Sequence, residues 1–351
     1  MDRIRTIILL ATILLSAVSC EDEPGERDLP VRYDTSILLA SRATYYDLQE
    51  IRFSFDIAVY KGDNELNEVV DFTGLPDTAF KFNDYLYEGD SVKHFIDKVE
   101  FVDTTMLPPF TTMVLIDQSA SPENFDETDY YNVRFKAFNA FYKNLDGKGK
   151  VCFAYFNRRQ GNPLVMTPLN NEPSAEWNED VVRQLLNLTH NQSGTSSLFD
   201  ALDQAVSYIA ARSTQNTSIT LFVRNKDDGQ SSVSLDNVIQ KAIANNVKIN
   251  VIWLIPNSHT SSVDFPTLWK LASKTGGFTV YMSRIWQSNT VFIQLARLLR
   301  METNLYRVSG RITIPPPGFF NQVSYRTGFY LYYYPPGPFI ASWIPLYLEK
   351  N

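Results

Sequence analysis

Short, continuously apolar runs separated by helical stripes constrain this chain more than any other feature of its sequence. The runs are Met113–Ile116, Val151–Phe156, Ile219–Val223 and Ile249–Ile255, and a fifth, Phe278–Met282, follows them. The first four have the character of strands buried on both faces. Between the runs, Phe138, Phe141, Tyr142 and Leu145 fall at 0, 3, 4 and 7, one stripe of a helix. Leu198, Ala201, Leu202 and Ala205 repeat the spacing, as do Leu235, Val238, Ile239 and Ala242. Val291, Leu295, Leu298 and Leu299 mark a last helix. Strands alternating with helices imply right-handed crossovers, so residues 110–305 are expected to form an α/β unit with a doubly wound, mainly parallel sheet.

The flanks read differently. Residues 31–109 offer Ser36–Ala40, Ile51–Tyr60 and Val92–Val102 as strands, with turn signals at Gly62-Asp63-Asn64 and Gly89-Asp90. Residues 306–351 offer Arg311–Ile314, Gly328–Tyr334 and Phe339–Leu348, punctuated by Pro315-Pro316-Pro317-Gly318 and Pro335-Pro336-Gly337-Pro338. The expectation is that both β-rich flanks form a second, smaller domain interrupted by the α/β unit. Two separate β modules are the competing arrangement. A chain of 351 residues exceeds what one hydrophobic core usually organises, which agrees with either.

The N-terminus reads as a targeting segment. Arg3 and Arg5 precede an apolar run, Ile7 to Ser19, too short to cross a bilayer core of about 30 Å as a helix. Ala17-Val18-Ser19-Cys20 resembles the lipobox of bacterial lipoproteins, although Ala17 stands where that motif usually has Leu. The resemblance implies a signal peptide over 1–19 and lipid on Cys20, which would anchor the chain to a membrane. Glu21, Asp22, Glu23, Glu26 and Asp28 follow within the tether, 20–30, and resemble the surface-export signal of Bacteroidota lipoproteins. A merely solvated tether explains the same acids. The implied location is the cell envelope, on the outer membrane, at its periplasmic or cell-surface side.

Composition narrows the chemistry. With 39 acids against 32 bases the net charge is −7, and no basic patch is available for nucleic acid. Three histidines (His94, His190 and His259) and two cysteines leave little for a zinc site or a disulfide framework. The histidines read as belonging to different surface loops or helix ends, with no nucleophile beside them, so no enzyme is expected. Cys152, inside an apolar run, reads as a buried, inert thiol.

Oxygen ligands are better supplied. The first buried run ends in Leu115-Ile116-Asp117-Gln118-Ser119-Ala120-Ser121. In an open α/β sheet, ligands sit at the carboxyl ends of strands. Asp117, Ser119 and Ser121 bring one carboxylate and two hydroxyls to one loop, a set suited to a hard cation such as Mg²⁺, with Mn²⁺ and Ca²⁺ left open.

Asp117-x-Ser119-x-Ser121 resembles the first signature of the von Willebrand factor A (VWA) domain, whose metal-ion-dependent adhesion site (MIDAS) binds partner proteins. Ser193-Gly194-Thr195-Ser196 is similar to the family's second element and nominates Thr195. Leu268 to Gly277, with Thr275-Gly276-Gly277, looks like the family's approach to its last strand. The third element departs: where the family usually shows Thr-Asp-Gly, this chain has Arg224-Asn225-Lys226-Asp227-Asp228-Gly229. Asn225 falls where the aspartate is expected, between two cations that oppose a dication, and Asp227 is the substitute a reshaped loop would offer. The resemblance implies a protein ligand that donates an Asp or Glu carboxylate to the metal. Two further readings stay open at this point. One is an envelope scaffold with a degenerate metal site; the other is a glycan- or peptide-binding β module built on Tyr330–Tyr334 and Phe319-Phe320.

Overall fold

The computed structural model describes residues 35–45, 50–60, 80–82, 85–87, 90–102, 110–117, 133–145, 149–156, 164–166, 197–212, 216–223, 231–254, 265–282, 288–300, 305–313, 326–333 and 340–349. The expected signal peptide and tether lie outside them. In chain order the first strands are β1 (Thr35–Tyr45), β2 (Glu50–Tyr60), β3 (Phe80–Phe82), β4 (Tyr85–Tyr87) and β5 (Asp90–Val102). Then come β6 (Phe110–Asp117), α1 (Val133–Asn144), β7 (Gly149–Phe156), β8 (Leu164–Met166), α2 (Leu198–Ala210) and β9 (Thr217–Val223). They are followed by α3 (Leu235–Ala244), β10 (Val247–Leu254), α4 (Phe265–Thr275), β11 (Phe278–Met282) and α5 (Ser288–Leu299). The chain ends with β12 (Leu305–Thr313), β13 (Arg326–Tyr333) and β14 (Ile340–Glu349).

The order β11-β10-β9-β6-β7 is parallel throughout, with β8 antiparallel on the outer edge of β7. Every residue of β6 and of β9 is buried, as expected for strands covered on both faces. The pleat sends alternate residues to opposite layers. Val114, Ile116, Phe153, Phe222 and Ile252 join Phe138, Phe141 and Phe292 in the layer of α1 and α5. Met113, Leu115, Cys152, Ala154, Leu221, Val251 and Trp253 pack in the layer of α2, α3 and α4. Phe292 is the centre of the first layer: its ring meets Phe138 edge-on at 4.8 Å and Phe141 at 5.8 Å. Cys152 is free and fully buried, and burial pushes its thiol up to about 12.

Polar residues inside the sheet satisfy one another. Ser218 donates to Thr112 at 3.0 Å, Asn250 donates to Thr220 at 3.4 Å, and the Asn250 amide oxygen accepts from Phe278 N at 3.3 Å. At the amino end of the sheet, helices turn into strands through left-handed residues: Asn216 (φ 44°), Asn246 (φ 54°) and Gly276 (φ 73°). Asn and Gly adopt that region at least cost.

The flanking strands come from both ends of the chain and share ladders. β12 lies between β2 and β5, antiparallel to both, and Arg307 forks onto Asp56 of β2 at 2.8 and 2.9 Å. β3, β13 and β14 form a second antiparallel set. This part is not detached from the parallel sheet. β1 pairs β2 along one edge, with a register shift between Leu39 and Arg42. Its other edge pairs β11 at Leu38 and Leu39, then β14 at Ala43 and Thr44. The histidine reading needs one correction: it puts His94 in a loop or at a helix end, although the expected strand Val92–Val102 includes it, and the strand reading is the one that holds. His94 is a residue of β5 opposite Ile312, because the β5–β12 ladder continues through Lys93. Among the described residues no helix is long and apolar enough to cross a membrane.

Candidate functional site

The chain builds the parallel sheet outward from β6 in one direction and then the other. It runs from β6 through α1 to β7, then returns to the far side of β6 and adds β9, β10 and β11 in turn. α1 lies on one face of this sheet and α2, α3 and α4 on the other, and in open α/β sheets ligands bind where the direction of winding reverses, here at the carboxyl ends of β6 and its neighbours. Asp117 is the last residue of β6, opposite Phe156 of β7, and its exposure is 0%. A wholly buried acid at a strand end is rare, because an ionised carboxylate is costly to desolvate without compensating partners.

By the pleat, Asp117 shares a strand face with Met113 and Leu115, which belong to the layer of α2, α3 and α4. In that layer, the helix packed against β6 is α2. It leads into β9 across the turn at Asn216, whose carbonyl accepts from Thr111 N at the start of β6 at 3.1 Å. Its opposite end, the N-terminus, therefore lies at the carboxyl end of the sheet, with Asp117. Ser197, the residue before the helix, is 6% exposed.

The first turn of α2 is capped from a distance. Ser197 stands at the N-cap (φ −95°, ψ 58°) but makes no side-chain cap hydrogen bond. Instead Ser231 Oγ accepts from Phe199 N at 3.1 Å and Asp200 N at 3.3 Å, two donors the first turn would otherwise leave to solvent. Asp200 returns the interaction. Its Oδ1 accepts from Ser232 N at 2.9 Å, Ser232 Oγ at 3.0 Å and Val233 N at 3.0 Å. The arrangement is a capping box divided between two segments, with the serine on one and the acid on the other. Ser234 then caps α3 by accepting from Asn237 N at 3.3 Å.

Of the residues nominated from the sequence, Asp117 is the one the structure describes. Ser119, Ser121, Thr195, Asn225, Asp227 and Cys20 lie outside the described residues. Among the described residues no group of three or more His, Cys, Asp or Glu side chains converges. The nominated set needs no such group, since it consists of one or two carboxylates, hydroxyls and an amide. The carboxyl oxygens of Asp117, at the sheet's switch point, are of the kind that a hard, oxygen-seeking cation takes. Asp200 and Ser231 were not nominated. The Ser-x-x-Asp signal that would mark a local cap is absent at Ser231, because its acid lies on another helix.

No protein-family model matches the chain, and a search of curated proteins finds no match. Several solved structures are similar. One is the pilus adhesin SpaC from Lactobacillus rhamnosus GG, at 9% identity and TM-score 0.44, over 92% of this chain and 48% of that one. The chain thus spans about half the length of SpaC. A von Willebrand factor type A protein from Catenulispora acidiphila is similar at 10% identity and TM-score 0.43, over 92% of this chain and 74% of that one. Proximal thread matrix protein 1 from the mussel byssus, in a form with a zinc-occupied MIDAS motif, is similar at 14% identity and TM-score 0.38. That likeness covers 58% of this chain and 47% of the other. Proteins with von Willebrand factor A domains and pilus adhesins are therefore among its structural neighbours.

Proposed function

We propose that this chain is a lipid-anchored protein of the cell envelope that binds a protein ligand through a divalent cation held at the carboxyl end of β6. The observation that carries the reading is the wholly buried Asp117 at the switch point, on the face where α2 begins. In this reading Asp117, Ser119, Ser121 and Thr195 hold the ion, and Asn225 or Asp227 supports its waters. Mg²⁺ suits the donor set, and it characteristically keeps several waters and an exchangeable position. The bound cation would accept a carboxylate from the ligand and locally reverse the sign of an acidic surface. Cys20 supplies the anchor. Residues 110–305 form the binding unit, and 31–109 with 306–351 form the support that joins it to the tether.

Calorimetric titration of the full chain with MgCl₂ or MnCl₂ tests this reading. Saturable binding is expected, and Asp117→Ala is expected to abolish it. An unaltered chain that takes up neither ion would sink the adhesion-site reading and leave the envelope scaffold with a degenerate site, which Asn225 between Arg224 and Lys226 already favours.

A further inference from the structure

We infer that the outer edge of β5 joins two copies of this chain, pairing antiparallel with the same strand of the second copy about a two-fold axis at Val99. The inference does not rest on the cation reading. β5 is a long strand, Asp90–Val102, and β4 pairs only its first residues, Asp90, Ser91 and Val92. From Lys93 to Val102 its one strand partner among the described residues is β12. That ladder takes one edge of β5. The other presents a row of unpaired N–H and C=O groups, and such a row is a template for a further strand.

The side chains of this strand are open to solvent as well. Phe101 is 54% exposed and Phe95 40%, and Ile243 is the only other exposed large hydrophobic side chain among the described residues. Asp97, Lys98 and Glu100 are exposed beside them.

Charge decides the occupant. Edges are usually kept apart by charges and bulges, and β5 has both. Its register with β12 shifts between Ser309 and Gly310, which leaves Asp97 as the extra residue. A single charge repels its own image across a two-fold axis. Lys98 and Glu100 do not, because they flank Val99 symmetrically. With Val99 opposite Val99, each Lys98 meets the second copy's Glu100, and each Glu100 meets the second copy's Lys98. The two already pair within one strand, so they share a face, and the four groups alternate in sign at the corners of a square. A slide of two residues is the smallest that keeps each face. It sets Lys98 against Lys98 in one direction and Glu100 against Glu100 in the other, and like charges directly opposite are destabilising.

The bulge fits the same register. Phe101 lies opposite Tyr306 and Ile96 opposite Gly310, both buried residues of β12, so Phe101 and Ile96 share the face away from the charges. Because Asp97 is the extra residue, the alternation resumes with Phe101 against the second copy's Ile96. Phe101, edge-on to Tyr306 at 5.8 Å, thereby gains an apolar neighbour on its open side. An unrelated strand could pair the same edge, but it would have no need of a sequence that complements itself.

Sedimentation equilibrium tests the inference on the full chain, on Glu100→Lys, on Lys98→Glu and on an equimolar mixture of the two variants. The unaltered chain should dimerise. Each variant alone sets like charges opposite at both pairs and should raise the dimer Kd by about tenfold or more. The mixture should dimerise again, because the two lysines of one variant face the two glutamates of the other. That rescue also shows that the variants are folded. A chain that stays monomeric at high micromolar concentration overturns the inference. A dimer that both variants form as readily as the unaltered chain places the interface elsewhere and overturns it too, as does a mixture that stays monomeric.

Discussion

Single residues here carry consequences that differ in kind. Cys152 is fully buried with its thiol raised to about 12, against 9.0 for a free cysteine, the cause being desolvation. In the unfolded chain the thiol ionises near 9 and in the folded chain only near 12. Above pH 9 the unfolded state therefore binds fewer protons, so stability contributed by the neutral thiol is present below that pH and lost as pH rises toward 12. Urea unfolding between pH 8.5 and 11 should show a steeper loss in the natural chain than in Cys152→Ala; equal slopes would contradict it. Adjacent glycines give a second contrast. A Cβ on Gly277 would lie 2.0 Å from the Ile249 carbonyl oxygen, whereas one on Gly276 meets nothing but sits at φ +73°. Gly276→Ala should cost about 1–2 kcal/mol of backbone strain, and Gly277→Ala more, since β10 and β11 must separate to admit it. Chemical denaturation of the two variants ranks them. Asp117 was legible in the sequence because an acid closing an apolar run stands out. Asp200 was not, because its partners Ser232 and Val233 are on a distant segment and only the fold brings them within reach.

The same division between local and distant information holds for whole elements. The apolar centres of the parallel strands were readable, and so were the helix stripes: Phe138, Phe141, Leu198, Ala201, Val238, Ile239, Val291 and Leu295 are all buried. Strand beginnings were not, because Thr111, Thr112, Thr217 and Ser218 are polar. They are buried all the same, and Thr112 and Ser218 satisfy each other across the ladder. Neither residue alone announces a strand. α5 shows what packing adds. Phe292 lies outside the four stripe residues named from the sequence, yet it contacts Phe138, Phe141 and Phe222. Truncating a buried phenylalanine to alanine costs about 3–5 kcal/mol, so Phe292→Ala should lower urea stability by that amount. A loss below about 0.5 kcal/mol, the range of surface substitutions, would show that the α1–α5 layer does not depend on this ring.

At the scale of the molecule, the sequence separated an α/β middle from β-rich ends but did not show how they join. The reason is physical: strand pairing between residues some 250 apart, such as Asp56 with Arg307, leaves no periodic trace in either segment. β12 fills the space between β2 and β5, so neither end of the chain completes that sheet alone. Residues 31–109 and 306–351 expressed as two pieces should therefore co-purify, while 306–351 alone should aggregate through unpaired strand edges. Failure of the two pieces to associate would argue that the flanks are held together by the α/β unit between them.

The position of β1 has a mechanical consequence. Any tension arriving from the chain ahead of Thr35 runs lengthwise along this strand, which is bonded to β2 on one side and to β11 and then β14 on the other. A pull along a strand loads its flanking hydrogen bonds together in shear, where a pull across it would open them one at a time. Were the chain held at its N-terminus and bound to a partner at the carboxyl end of the parallel sheet, as proposed above, β1 would be the rivet through which traction crosses from one to the other.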